Sequence, residues 1–345
     1  MSHRMAMQSR VSMKGCMASL ITLAVLHTFT NLGLWAMLAD RRIRKRFTSF
    51  HANIIVRKKP ARASTLYPAN YDTGFLLHDK DSCSEVRDIS LLYVVNSAPG
   101  HFKQRQILRT TFADGLFFLP QVVKTIFLIG RSSNTSIGNE IISEFAEHKD
   151  IVQGDFVDSY RNLTLKLTMA FKWMSMYCRN VKLVGKIDDD TFVNTYKLLD
   201  MERDLKGRGR VHCDIATGSV GKIQRGHSKW AVHVDVFKFY RYFPWTYCGG
   251  YAVFVPGSLV PNFYKASLIS PFLWIDDVYL TGIVASRLNI VDHHQGAFMR
   301  RDFKMQPKKG LECFRKPDCP VLATTVASEY IPEFWRLVQE AWKVK

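Results

Sequence analysis

Short, continuous apolar runs alternate with stretches of helical spacing from about residue 88 onward. The predicted strands cover residues 91–95, 125–129, 151–156 and 181–187, of which 91–95 is a continuous apolar run. Runs of this length without alternation are typical of strands that are buried on both faces. Between them, apolar side chains recur at helical spacing in residues 105–112, 137–145 and 163–176. The pattern predicts strands that alternate with helices.

Such an alternation favours a mainly parallel sheet whose strands are joined by right-handed crossovers. We therefore predict an α/β fold, with one large folded domain at residues 86–345. A further strand-like run, residues 252–255, follows the fourth strand.

An uncharged segment lies near the amino terminus. Residues 15–39 contain no Asp, Glu, Lys or Arg, and a membrane span needs about 20 residues. We predict a transmembrane signal-anchor at 15–39, between a tail at 1–14 and an irregular, basic stem at 40–85. Positive charge flanks both sides of the span and is greater after it, so charge alone leaves the orientation open. A cleaved signal peptide and a buried core helix are the alternative interpretations.

The formal net charge of +18 at first suggests nucleic acid or an anionic membrane as a partner. However, residues 1–63 hold twelve Lys or Arg and a single acidic residue, so more than half of the excess surrounds the predicted anchor. The mild surplus in the remaining residues suits a phosphate-bearing ligand. We therefore expect no nucleic-acid partner.

Six of the seven cysteines follow the predicted anchor, which favours disulfide bonds in an oxidising compartment. Their pairing is open, because six cysteines allow many combinations. No two of them form a CxxC pair, which argues against a zinc or dithiol-redox site. Two sequons, at Asn134 and Asn162, are candidate glycosylation sites if this part of the chain is lumenal.

Three consecutive aspartates, Asp188, Asp189 and Asp190, follow the fourth predicted strand. Ligands bind outside the carboxyl ends of the strands in open α/β sheets. Carboxylates at such a place suit Mg²⁺ or Mn²⁺, which can bridge them to a diphosphate. The alternative is a solvated loop or a helix N-cap.

A second acidic pair, Asp276 and Asp277, lies within an apolar stretch at residues 272–279. Burial raises the pKa of a carboxyl group, which suits the group to act as a general base. The pair could instead cap a helix that begins at Val278, and the two roles are compatible.

Two further features are candidates for a binding site. Gly249 and Gly250 follow Tyr247 closely, and paired glycines allow either a tight turn or the close approach of a ligand. His293 and His294 follow a possible strand end. Either imidazole could complete a metal site, although a surface or packing role is the alternative.

Residues from about 91 to 300 resemble the inverting β1,3-galactosyltransferase family, which also contains β1,3-N-acetylglucosaminyltransferases. The resemblance rests on six runs in the family's order, at residues 105–112, 127–130, 150–166, 186–194, 247–251 and 276–279. Two positions depart from the family pattern. Phe112 stands where the family usually has Trp, and Asp276 stands where many members have Glu.

The resemblance implies a GT-A fold, a single nucleotide-sugar-binding α/β domain on a single-pass type II anchor, with the catalytic domain in the Golgi lumen. It implies transfer of galactose or an N-acetylhexosamine from a UDP-sugar to the 3-hydroxyl of an acceptor glycan on a glycoprotein or glycolipid. The transfer would invert the anomeric centre and use Mn²⁺ or Mg²⁺.

The resemblance also implies roles for individual residues. The aspartate triplet, with His293 or His294, would hold the metal ion, and Asp277, or in second place Asp276, would be the catalytic base. The candidates for donor binding are Arg105, Arg109, Lys166 and Lys186, and those for the acceptor-side loop are Tyr247, Gly249 and Gly250.

Two other functions are compatible with parts of the sequence. A catalytically inactive glycan-binding protein would use the same fold, and a metal-dependent phosphohydrolase would also need clustered carboxylates. The donor sugar and the acceptor stay open.

Overall fold

The computed structural model describes residues 73–206, 210–216, 221–290, 293–295, 299–300 and 302–343. The predicted cytoplasmic tail, the predicted anchor and most of the predicted stem lie outside these residues. Within them, no helix combines the length and the apolar character that are needed to cross a bilayer.

Eleven strands form two sheets in the described part of the chain. They are β1 (Phe75–Leu77), β2 (Ile89–Asn96), β3 (Val123–Arg131), β4 (Ile151–Val157), β5 (Val181–Asp188), β6 (Thr191–Val193), β7 (Val211–Ile215), β8 (Cys248–Pro256), β9 (His293–Gln295), β10 (Met299–Arg300) and β11 (Ala323–Thr325). The large sheet has the order β1-β4-β3-β2-β5-β8-β7-β9, and the small sheet has the order β10-β11-β6. Strands β4, β3, β2 and β5 are parallel neighbours, whereas β1 and β8 add to them in the antiparallel direction. The large sheet is therefore mixed, with a parallel centre.

Helices connect the strands and cover the large sheet. The α-helices are α1 (Phe102–Arg109), α2 (Thr135–His148), α3 (Leu163–Tyr177), α4 (Thr195–Lys206), α5 (Val260–Leu268), α6 (Ala285–Arg287), α7 (Pro307–Phe314) and α8 (Ile331–Lys343). A π-helix, Val278–Val284, leads directly into α6. Short 3₁₀ turns occur at Gly115–Phe118, Tyr160–Asn162, Gly257–Leu259, Asp302–Lys304 and Ser328–Tyr330.

Strand β2 shows why the central strands have continuous apolar sequences. All eight of its residues are buried. Leu92 and Val94 belong to an apolar cluster that includes residues of α3 and α5. Leu91, Tyr93 and Val95 belong to a second cluster, which includes residues of α1 and α8. Because neighbouring residues of a strand face opposite ways, both faces of the sheet are covered, as the sequence predicted.

The folded domain begins before residue 86. Strand β1 pairs with β4, and Cys83 forms a disulfide bond with Cys178, just after α3. Residues 75–83 therefore belong to the folded domain rather than to the stem, which the sequence placed at 40–85. The difference arises because a three-residue strand carries too little periodicity to be recognised, and its partner is distant along the chain.

All six cysteines among the described residues are in disulfide bonds, which confirms the expectation from their number. The pairs are Cys83–Cys178, Cys213–Cys248 and Cys313–Cys319. The second pair joins β7 to the first residue of β8, with 5.6 Å between the Cα atoms.

A buried network of charges fixes the loop after β2. The Arg105 side chain is fully buried, and its Nη2 lies 2.7 Å from Oε2 of Glu144. The same guanidinium donates to main-chain oxygens of residues 98 and 99. Arg109 bridges Glu144 and Asp150, with 2.7 Å to each carboxylate. Burial raises the pKa of Glu144, but hydrogen bonds from the two arginines outweigh that effect and lower it.

We expect Glu144→Ala to lower the free energy of unfolding by about 3–5 kcal/mol, because it leaves Arg105 buried without its carboxylate. The measurement is urea unfolding followed by tryptophan fluorescence. Glu147→Ala is the matched control on the same helix. Its carboxylate is 75% exposed, and its removal should change stability by less than about 0.5 kcal/mol. Equal effects of the two substitutions would contradict a structural role for the network.

Candidate active site

A cavity of about 680 Å³ lies at the carboxyl end of β5. Strands β2 and β5 run in parallel, and Asn96 at the end of β2 is in register with Asp188. The beginning of β8 and the segment before the π-helix complete the walls. The cavity therefore occupies the edge of the sheet where open α/β folds bind their ligands.

The three consecutive aspartates do not share one environment. Asp188 and Asp190 line the cavity, whereas Asp189 is buried. The Asp189 carboxylate accepts a hydrogen bond from Ser97 Oγ at 2.7 Å and lies 2.8 Å from His101 Nδ1. Asp188 ends β5, and Asp189 and Asp190 form the turn to β6. This turn gives the cavity two carboxylates and places the third against the loop after β2.

Lys186 is the charged centre of the cavity wall. Its ammonium donates to Asp188 Oδ1 at 2.9 Å and to the main-chain oxygen of Gly250, and it lies 3.5 Å from Asp276 Oδ2. Burial lowers the pKa of Lys186, but the carboxylates of Asp188 and Asp276 outweigh burial and raise it. The side chain is therefore a fixed cation that joins three segments of the chain.

Asp277 caps the π-helix and faces the cavity. Its carboxylate accepts a hydrogen bond from the N–H of Val278 at 2.7 Å, and its main-chain oxygen accepts one from Thr281. Burial, followed by the charge of Asp276, raises the pKa of Asp277 to about 7, although the Val278 hydrogen bond and Lys186 act in the opposite direction. Asp277 therefore caps the π-helix and also has a carboxyl group whose pKa is raised.

The glycines of the β8 segment make room for this arrangement. Tyr247, Gly249 and Gly250 all line the cavity. A Cβ atom at Gly250 would lie 3.3 Å from the Cβ of Asp277 and 3.6 Å from Nζ of Lys186. A Cβ at this position would be tight against the Cβ of Asp277 and in ordinary contact with Lys186.

Three of the basic residues that the family resemblance proposed for donor binding lie outside the residues that line the cavity. Arg105 and Arg109 belong to the buried network with Glu144. Lys166 is also buried, and its Nζ lies 2.8 Å from Asp158 Oδ2 and donates to Ser97 O at 2.7 Å. Of the four candidates, Lys186 alone lines the cavity.

Other predicted positions lie away from the cavity or outside the described side chains. His293 and His294 belong to β9, beside β7, but their side chains are not among those described. Asn134 is exposed at the N-cap of α2. Asn162 donates from its side chain to Val157 O, and the hydroxyl of Thr164, in the same sequon, donates to Leu273 O inside the protein.

The cavity also contains residues that the sequence analysis missed. Lys222, Lys229 and Trp230 come from the irregular segment 221–247, which has no periodic pattern, and Thr325 comes from β11. Lys304 lies 2.5 Å from Asp190 Oδ2. The basic run around Lys304 was visible in the sequence, but its contact with a residue 114 positions earlier was not.

The donor set fits a hard divalent cation. Asp188 and Asp190 offer carboxylate oxygens to the cavity, and desolvation raises the pKa of Asp188 in spite of Lys186. Crowded carboxylates of this kind are stabilised by a cation such as Mn²⁺ or Mg²⁺. Among the described side chains, no three His, Cys, Asp or Glu are grouped to hold a metal ion. A pair of carboxylates suits an ion that phosphate oxygens also ligate.

The sequence of the chain is similar to those of known glycosyltransferases. The family model described as Galactosyltransferase matches residues 103–296. The chain is 31% identical over 226 residues to a lactosylceramide 1,3-N-acetyl-β-D-glucosaminyltransferase A of Danio rerio, covering 61% of this chain and 57% of the relative. It is 31% identical over 236 residues to the lactosylceramide 1,3-N-acetyl-β-D-glucosaminyltransferase of Homo sapiens, covering 64% and 60%.

A third relative is matched over a larger share of its length. The chain is 30% identical over 241 residues to β-1,3-galactosyltransferase 1 of Mus musculus, covering 69% of this chain and 71% of that protein. The residues that match the family model include β5, the aspartate triplet, the paired glycines and Asp277. Because the family model matches more than half of the chain and a 30% identical relative covers more than two thirds of it, the chain belongs to the galactosyltransferase family.

Proposed function

We propose that the chain is an inverting hexosyltransferase. It moves galactose, or an N-acetylhexosamine, from a UDP-sugar to the 3-hydroxyl of an acceptor glycan and forms a β1,3 linkage. The observation that carries the proposal is that Asp277, at the N-cap of the π-helix, lines the same cavity as Asp188 and Asp190. Burial and Asp276 raise the pKa of Asp277, which supports its role as a base. The relatives' names, which specify β1,3- and 1,3-transferases of two sugars, support the linkage and leave the donor open.

Asp277 is the proposed base. Its carboxylate takes the proton of the acceptor hydroxyl while the hydroxyl oxygen forms a bond to the anomeric carbon. The bond from that carbon to the UDP oxygen breaks on the opposite face, so the anomeric configuration is inverted. An inverting glycosidase uses a carboxylate in the same way, with water in place of the acceptor alcohol. Asp276 is paired with Lys186, which makes it the weaker candidate for the base.

Asp188 and Asp190 are the proposed ligands of Mn²⁺ or Mg²⁺, which when bound neutralises the charge of the UDP leaving group. Lys186 orients Asp188 through its 2.9 Å hydrogen bond. Asp189 acts indirectly, since its contacts with Ser97 and His101 fix the turn between the two cavity aspartates.

We also propose a Golgi location with the described domain in the lumen and the anchor at residues 15–39. The three disulfide bonds support an oxidising compartment. Acceptors on glycoproteins or glycolipids are both compatible with that location.

The proposed function is tested with a panel of donors. The full-length chain should release UDP from one of UDP-Gal, UDP-GlcNAc or UDP-GalNAc in the presence of Mn²⁺ and a glycan acceptor, and Asp190→Ala should lower that rate by about 100-fold. Asp235→Asn is the control, since its side chain is 70% exposed and does not line the cavity. If no donor is consumed, even by hydrolysis, the proposed transferase function is contradicted.

We expect Asp277→Asn to lower kcat by about 10²–10⁴-fold, because the amide cannot accept the proton. The rate of the unsubstituted enzyme should rise as the pH increases through about 7, since a carboxyl group with its pKa raised to about 7 is protonated below that pH. Initial rates between pH 5 and 9 measure both effects. If Asp277→Asn keeps the wild-type kcat, Asp277 is not the catalytic base.

Lys186→Met should lower activity and also move the acid limb of the pH profile upward. Lys186 lowers the pKa of Asp277, so its removal leaves that carboxyl group protonated to a higher pH. Because Asp188 and Asp276 lose their partner, the free energy of unfolding should fall by about 3–5 kcal/mol.

Lys182→Met, four residues earlier on β5, is the matched control for this substitution. It should change the free energy of unfolding by less than about 0.5 kcal/mol and should leave the pH dependence of the rate unchanged. An unshifted acid limb in folded Lys186→Met would contradict the coupling.

A further inference from the structure

A second cavity, of about 340 Å³, lies beside α8, and we call it the C-terminal pocket. Its volume is in the range of small-molecule sites in proteins. Among the described residues, none lines both this pocket and the cavity that contains Asp277. Strand β6 separates the two places. Asp190 precedes the strand, and Asn194, which lines the C-terminal pocket, follows it. At the rise of a strand, these two residues are about 13 Å apart.

The C-terminal pocket has a wall that is fixed covalently. The Cys313–Cys319 disulfide bond closes a short loop, and residues of the enclosed loop line the pocket. Lys197 of α4 donates a hydrogen bond to Cys319 O at 2.9 Å, which attaches the loop to that helix. A loop that is held in this way needs little further ordering when a ligand binds, so less of the binding free energy is lost.

Another wall of the pocket is an aromatic ring that is held in a stack. The ring centroids of Trp342 and Tyr196 are 5.2 Å apart, with 13° between the ring planes. Tyr196 in turn stacks on Trp335, at 5.4 Å and 11°. Phe314 and Val338, both buried, also line the pocket. The pocket therefore presents an indole of fixed orientation beside an apolar surface.

Asn194 has a hydrogen-bond donor that the protein leaves unused. The residue is only 8% exposed. Its Oδ1 accepts a hydrogen bond from the N–H of Lys197 at 3.1 Å and so caps α4. Its Nδ2 has no partner among the described residues, and this atom is not enclosed by protein. Because the residue lines the pocket, the unused amide group is available to a ligand there. A donor in a nearly buried residue costs free energy until it is paired.

Lys316 and Asp318 add a donor and an acceptor to the rim of the pocket. Both are exposed residues of the enclosed loop, and neither side chain is paired with another of the described residues. Their charges are opposite, and the ammonium of Lys197 is already engaged by Cys319 O. The rim therefore favours a neutral ligand that both donates and accepts hydrogen bonds over an anion.

We infer that the C-terminal pocket is a binding site for a neutral sugar, separate from the candidate active site. A pyranose carries C–H groups on its faces, which stack on the indole of Trp342. Its hydroxyl groups each donate and accept. They accept from Asn194 Nδ2 and from the Lys316 ammonium, and they donate to the Asp318 carboxylate. The inference goes beyond the proposed transferase function and does not depend on catalysis.

The test observes sugar binding at Trp342 directly. The full-length chain is labelled with 5-fluorotryptophan and studied by ¹⁹F NMR in a detergent without a sugar headgroup, with no donor and no metal ion. Trp342→Phe and Trp230→Phe identify the resonances of these two residues, and Trp230 reports on the candidate active site. The probes are methyl β-D-galactopyranoside, methyl N-acetyl-β-D-glucosaminide and lactose. At least one of them should shift the Trp342 resonance in a saturable way that gives a Kd.

Two substitutions test the polar contacts. Asn194→Asp keeps an oxygen that caps α4 as well as Asn does but removes the donor, so it should raise the Kd by about three- to ten-fold. Asp318→Asn should raise it by about ten-fold, since a charged acceptor is lost. Glu312→Gln is the control, because this exposed residue of α7 does not line the pocket, and it should leave the Kd unchanged. Circular dichroism verifies that each variant is folded.

The remaining outcomes overturn the inference. If the probes leave the Trp342 resonance unmoved, or shift the Trp230 resonance alone, the C-terminal pocket does not bind these sugars. If inorganic phosphate shifts the Trp342 resonance and the sugars do not, the pocket is an anion site. An unchanged Kd in folded Asn194→Asp and Asp318→Asn removes the proposed contacts. None of these results bears on donor turnover, which tests the transferase function separately.

Discussion

The arrangement of the candidate site depends on one buried ammonium group among carboxylates. Lys186 lies within 3.5 Å of Asp188 and Asp276 and also binds a main-chain oxygen at Gly250. These partners come from β5, from β8 and from the segment before the π-helix. Without a cation at this point, the carboxylates of Asp188 and Asp276 would repel one another and would lose their cationic partner. A single charge thus determines where the acidic groups lie relative to each other.

Two other buried cations, Arg105 and Lys166, hold the loop after β2. Arg105 and Lys166 both donate to the loop around Ser97, and Ser97 in turn donates to Asp189. Arg105 and Lys166, two of the four residues that family resemblance would place on the donor, therefore contact the protein rather than the cavity. They fix the loop after β2, and the loop contacts Asp189. Lys186, by contrast, lines the cavity together with Asp188 and Asp190.

The sequence predicted the parallel centre of the fold because β2, β3, β4 and β5 are largely buried, which makes these segments rich in apolar residues and short. Asp188 and Asp190 follow the last of these segments and Asp277 lies within another apolar stretch, and the structure brings all three to one cavity. The sequence could not place Arg105, whose partner Glu144 lies 39 positions away, because long-range pairing leaves no local pattern. It also missed Trp230, since an irregular segment has no period from which the direction of a side chain can be deduced.

The Cys213–Cys248 bond joins residues 35 positions apart, and the irregular segment that carries Lys229 and Trp230 lies inside this covalent ring. Both ends of the ring are paired strands of the large sheet. Ile223 and Val232, within the ring, are buried in the core, whereas Lys229 and Trp230 reach the cavity. The segment is therefore tethered at both ends and anchored in its middle, so it stays beside the acidic groups without regular secondary structure of its own.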